Sequence, residues 1–208
     1  MLKKLKLKFK DKFRVNGQII KKPHWSFLPF WVVANAIGYS VGGIVSAFVT
    51  DYVIGDFGVL LSFGVMSIAI ALMQWLAIRR QIIGMGWLLA TCVGGTVGGS
   101  LSSWASFQLA ITYGDAADLL AIYTCLRGLT TGLAQWTVLR QNLKRSEWWI
   151  VATTASWYIS VTIGTLLMHR PLGYFLTFSI GAIYGLLTGV VLMTLRGQKE
   201  IHINISKI

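Results

Sequence analysis

The sequence predicts an all-α integral membrane protein of six transmembrane helices, arranged as three parallel two-helix repeats in a pseudo-threefold bundle with both termini in the cytoplasm. Three observations predict it: six long apolar runs, a one-sided distribution of basic residues, and a threefold self-similarity. The 208 residues are 55% hydrophobic and 12% charged, with a mean hydropathy of +0.64. That apolar content exceeds what a soluble core needs, and the charge is too sparse for a soluble surface.

The apolar runs fall at 27–50, 58–78, 86–110, 118–139, 148–168 and 173–195. Each is long enough, at about 1.5 Å of rise per residue, to cross a hydrocarbon layer of about 30 Å. Continuous runs without two-residue alternation exclude a membrane barrel. Residues 1–26 form a basic leader, followed by hairpin repeats at 27–80, 81–140 and 141–196 and a tail at 197–208. The leader is too long and the first apolar run too extended for a cleaved signal peptide, so the first helix is expected to stay.

Orientation follows from Lys and Arg. Nine lie in residues 1–22, two in 79–85, three in 140–147 and three in 196–208, all on one side. The opposite links, 51–57, 111–117 and 169–172, hold only Arg170 and also carry Asp51, Asp56 and Asp115, with Asp118 at the next helix entrance. The positive-inside rule puts both ends in the cytoplasm. In the Lys-rich leader, Leu2, Leu5, Phe9 and Phe13 share a helical face, which suits contact with anionic lipids, while the alternation from Leu5 to Lys10 suits a strand equally. Nucleic acid is a weaker expectation than lipid for a basic arm beside a span.

Aligning Trp31, Trp87 and Trp149 places Ala34, Ala90 and Ala152 in one column. Steps of four then give Gly38, Gly94 and Ser156, next Gly42, Gly98 and Ser160, and next Ser46, Ser102 and Gly164. The second and fourth helices both end in Q-W-x-x-[IL]-R, at Gln74–Arg79 and Gln135–Arg140; the sixth keeps the Arg, as Arg196, but loses the Gln and Trp. Small residues four apart let helices approach closely, so the odd helices are expected to form the packed centre. Gly128 with Gly132, and Gly181, Gly185 and Gly189, offer further close-approach faces, for the bundle or for a homo-oligomer or larger complex.

The repeated Q-W-x-x-[IL]-R exit, with Trp87 or Trp148-Trp149 opening the next helix, resembles uncharacterised multi-pass membrane proteins of bacteria, cyanobacteria among them. The resemblance spans most of residues 60–160 and implies no activity. The threefold hairpin plan is also similar to that of mitochondrial carriers, but their Pro-x-[Asp/Glu]-x-x-[Lys/Arg] motif is missing, and Pro23, Pro29 and Pro171 do not supply it.

Few residues invite a site. Gln74, Gln135 and Asn35 are polar groups within spans, suited either to a ligand head or, more commonly, to a neighbouring helix. The tryptophans near the helix ends are expected to anchor the spans at the interface. Arg127 stands within the fourth span, about 20 Å along the helix from Arg140. It is expected either to pair with Asp115 or Asp118 or to serve a function. Cys92 and Cys125 are read as small buried side chains, and His24, His169 and His202 lack metal-ligand spacing. Enzyme motifs are missing, and the sequence leaves the identity of any cofactor unknown. The expected function is a non-catalytic packing, assembly or accessory subunit of a membrane complex; the alternative is a small channel or transporter.

Overall fold

A computed structural model describes residues 14–15, 18–19, 27–79, 84–114, 118–141, 143–168 and 176–205. The described helices are α1 (Phe27–Tyr52), α2 (Asp56–Ile78), α3 (Met85–Tyr113), α4 (Leu119–Leu139), α5 (Trp148–Met168) and α6 (Leu176–Ile205). Before them, β1 (Arg14–Val15) and β2 (Gln18–Ile19) form a two-residue antiparallel ladder pairing Arg14 with Ile19 and Val15 with Gln18. The leader's amphipathic stretch from Leu2 to Phe13 lies outside the described residues.

Local chemistry sets the helix ends. Pro29 sits in the first turn of α1, where a missing N–H costs nothing. Gly55 (φ 85°) and Gly114 (φ 60°) adopt left-handed backbone after α1 and α3. Asp56 stands in the first turn of α2, against the positive end of its dipole. Asp118 caps α4, accepting the Ala121 backbone N–H at 2.9 Å.

Each helix packs on its neighbours in chain order, and α6 returns to α1, so the six close into a ring. α1, α2, α5 and α6 are long and apolar enough to cross a membrane. α3 and α4 are diluted instead by interior-facing residues: Gly94, Gly95, Gly98, Gly99 and Ser102 in α3, and Arg127, Thr131 and Gln135 in α4, all of them buried. The outer face of α3 nonetheless carries an apolar stripe, exposing Leu89, Val93, Val97, Leu101, Trp104, Phe107 and Ile111 at helical spacing, with Gln108 exposed near its end.

The small-residue columns pack, but on different partners from those expected. Strong contacts run between chain neighbours rather than among α1, α3 and α5. A Cβ at Gly38 would meet the Ile70 Cα at 3.0 Å, and one at Gly42 the Met66 carbonyl at 3.0 Å, both on α2. At Gly94 it would meet the Ala134 Cβ at 2.6 Å, and at Gly98 the side chain of Thr130, both on α4. Ser156 and Ser160 are buried in α5. Odd-helix ridges with described close contacts thus join the two helices of a hairpin. The even-helix glycines join one hairpin to the next: Gly128 against Thr154, Gly132 against Thr153 and Ile150, and Gly181, Gly185 and Gly189 against α1. The physical reason is that a ring of six leaves alternate helices apart, with large side chains filling the axis. Both thiols are free, and Cys125 is exposed on the outside of the ring rather than buried.

Candidate functional site

Near the start of each odd helix stands one of the aligned tryptophans. Trp31, Trp87 and Trp149 are each fully buried. Their rings meet edge to face, Trp31 to Trp87 at 6.1 Å and Trp87 to Trp149 at 5.7 Å, and fill the axis at this end of the bundle. These three indoles are core groups and not the interfacial anchors expected of them; Trp148, beside Trp149, is the exposed one.

What turns them inward is a cyclic set of hydrogen bonds. Each indole N–H donates to the preceding even helix: Trp87 to Gln74 Oε1 at 3.2 Å, Trp149 to Gln135 Oε1 at 2.9 Å, and Trp31 to Thr188 Oγ1 at 3.0 Å. The glutamine amides then donate within their own hairpin, Gln74 to Asn35 Oδ1 at 2.8 Å and Gln135 to Thr91 Oγ1 at 2.9 Å. A 3.3 Å contact from Gln135 Nε2 to Gln74 Oε1 ties the first two units together. Asn35 donates back to the Trp31 carbonyl at 2.8 Å. In the third repeat Val191 occupies the glutamine position. Thr188 supplies the acceptor from one turn away, its own proton going to the Tyr184 carbonyl at 2.7 Å. Gln74, Gln135 and Asn35 are thus buried, and each is bonded to a neighbouring helix or to its own backbone. In an apolar surround such bonds matter because the alternative is an unsatisfied polar group.

One layer further in lies Arg127, only 2% exposed. Its guanidinium is sandwiched between the rings of Phe63 and Trp157, at 4.7 and 4.6 Å, with Tyr123 at 6.0 Å. Nη1 donates to the Tyr123 hydroxyl at 2.7 Å and Nη2 to the Met66 sulfur at 3.3 Å, a weak acceptor. Nε has no partner. Of the acids proposed from sequence, Asp118 is exposed and spent on the α4 cap, and Asp115 lies outside the described residues. Two desolvated ring faces are worth about 2 kcal/mol each. These contacts leave the guanidinium without a carboxylate partner among the described residues.

Beside Arg127 is a cavity of about 10 Å³, room for one water-sized particle. Its lining includes Ser67, Thr131 and Trp157, whose polar atoms are also buried without partners. Tyr39 and Tyr184 close it from the aromatic side, their rings 5.6 Å apart and Tyr39 5.5 Å from Trp157.

No protein-family model, curated protein or solved structure matches the chain. Function therefore rests on this geometry alone.

The sequence singled out Arg127, Gln74, Gln135 and Asn35 but missed their partners. Thr91 was within reach, since Asn35, Thr91 and Thr153 each follow an aligned tryptophan by four positions. The corresponding column one turn later reads Tyr39, Gly95 and Trp157, and its lack of likeness gave no signal.

Proposed function

We propose that the chain is a six-span integral membrane protein, built as three parallel hairpins with both ends cytoplasmic, that acts without catalysis as an assembly or accessory subunit of a membrane complex. The observation that carries this reading is the segregation of polarity. Gln74, Gln135, Asn35 and Arg127 are buried, Gln74 and Arg127 lining a cavity of water size, while large apolar side chains such as Ile44, Phe48, Val93, Phe107 and Val151 face outward. A bundle whose polar side chains are turned inward acts through its surface, and that surface suits lipid and other membrane helices. The apolar stripe on α3 supports counting that helix among the spans. The basic leader fits contact with anionic lipid headgroups. Cross-linking in intact membranes, followed by purification in mild detergent, tests the reading. A stoichiometric membrane-protein partner supports it, and an isolated monomer that moves a solute across proteoliposomes overturns it.

The second reading, a channel or transporter, is favoured by the buried Arg127 and the unpartnered donors beside it. Solute flux in proteoliposomes that Arg127→Leu abolishes would select it.

A further inference from the structure

We propose that the cavity beside Arg127 holds one small monovalent anion of the halide class, the counter-charge of that arginine. Four of the residues that line the cavity each carry a buried polar atom without a protein partner: Arg127 Nε, Trp157 Nε1, Ser67 Oγ and Thr131 Oγ1. All four residues are at least nine-tenths buried, with exposures of 2%, 5%, 2% and 5% respectively. They come from three helices, α2, α4 and α5, so their meeting is a product of the tertiary fold and not of one helix end.

The donor set dictates the ligand. The guanidinium and indole N–H groups can only donate, and the two hydroxyls are free to donate as well. A site composed of donors around a permanent positive charge calls for an acceptor that carries negative charge and needs no proton of its own. Among the described residues no carboxylate pairs with Arg127. A space of about 10 Å³ is that of one small bound particle and favours a monatomic ion over a bulky phosphate or sulfate group. The rings of Phe63 and Trp157 lie 4.7 and 4.6 Å from the guanidinium carbon, and the side chain is 2% exposed, so its head stays inside the bundle. The inference holds whether the ion stays as a structural counter-ion or crosses the bundle, so it stands apart from the choice between assembly and transport.

The test is thermal unfolding of the full chain in nanodiscs of neutral phosphatidylcholine, in sodium chloride or bromide against sodium gluconate at constant ionic strength. A ligand bound only by the folded state raises the midpoint in a saturable way. Chloride and bromide are expected to do so, and gluconate, too large for the cavity, is not. Ser67→Ala and Thr131→Val each remove one donor while keeping Arg127. Each is expected to raise the half-saturating halide concentration about tenfold. Arg127→Gln is expected to abolish the response; if it fails to fold, the two hydroxyl variants decide. Bromide soaked into crystals should give an anomalous peak in the cavity. Identical unfolding in halide and gluconate, a halide response that both hydroxyl variants leave unchanged, or cavity density without a bromide signal, meaning a water, would each overturn the proposal.

Discussion

The indole N–H of Trp149 donates to the Gln135 side-chain oxygen at 2.9 Å, joining α5 to α4, while the Gln135 amide bonds Thr91 on α3. Through these two bonds one glutamine fastens three helices, and both hydrogen-bonding ends of its side chain are used.

Replacing Gln135 with Leu should destabilise the bundle by about 1–3 kcal/mol, the cost of leaving a buried donor unsatisfied. Trp149→Phe removes that donor but keeps an aromatic ring in the layer. The double variant should lose less than the two singles added together, a coupling readable by reversible unfolding in detergent. Strict additivity would show that the bond contributes nothing.

Glycine positions separate cleanly by what a methyl group would meet. A Cβ at Gly128 would lie 2.6 Å from the Thr154 Cα, and one at Gly181 2.6 Å from the Asn35 carbonyl, both backbone atoms that cannot swing away. Gly128→Ala and Gly181→Ala should each cost about 1–3 kcal/mol through overpacking. Gly64 has nothing closer than Thr96 at 3.9 Å, so Gly64→Ala should be neutral or stabilising, by up to about 1 kcal/mol from helix propensity. Equal melting behaviour of all three variants would contradict the close-packed joints.

Arg127 is held by its planar faces as well as its charge. Arg127→Lys keeps the charge but loses the stacking fork between Phe63 and Trp157, so it should lower stability by about 2 kcal/mol. A lysine variant as stable as the parent chain would reduce the sandwich to coincidence.

Orientation is open to cysteine labelling in a background lacking Cys92 and Cys125. Asp56→Cys, at the α1–α2 turn, should react with an impermeant reagent from outside the cell. Lys144→Cys, in the exposed link before α5, should react only after the membrane is breached. Labelling of both from one side would break the six-span plan.

Much of this site was legible before any coordinates, and the limit lies in what periodicity can encode. The aligned Trp31, Trp87 and Trp149 and the repeated Gln74 and Gln135 marked the layer at one end of the bundle, because a bond pattern used more than once leaves a repeated spacing. That spacing did not say whether the indoles face lipid or the axis, since a tryptophan near a helix end suits either. The acceptor on the preceding helix decides it, and that pairing is a tertiary fact. Arg127 stood out as a lone charge in an apolar run. Ser67, Thr131 and Trp157 did not, because they sit on three helices at unlike places in the repeat and no period connects them.

The closure of α6 onto α1 sets the order in which the molecule can be completed during synthesis. Five of its six helix junctions form between helices consecutive in the chain, so each new helix finds its neighbour already made. The sixth must wait for the end of translation. Until Gly181, Gly185 and Gly189 arrive, the face of α1 that bears Val32, Asn35 and Tyr39 stays uncovered. An unfinished chain is thus an open ring with a complementary edge at each side of the gap. Completion of the ring therefore depends on this last seam, where the α6 glycines meet α1.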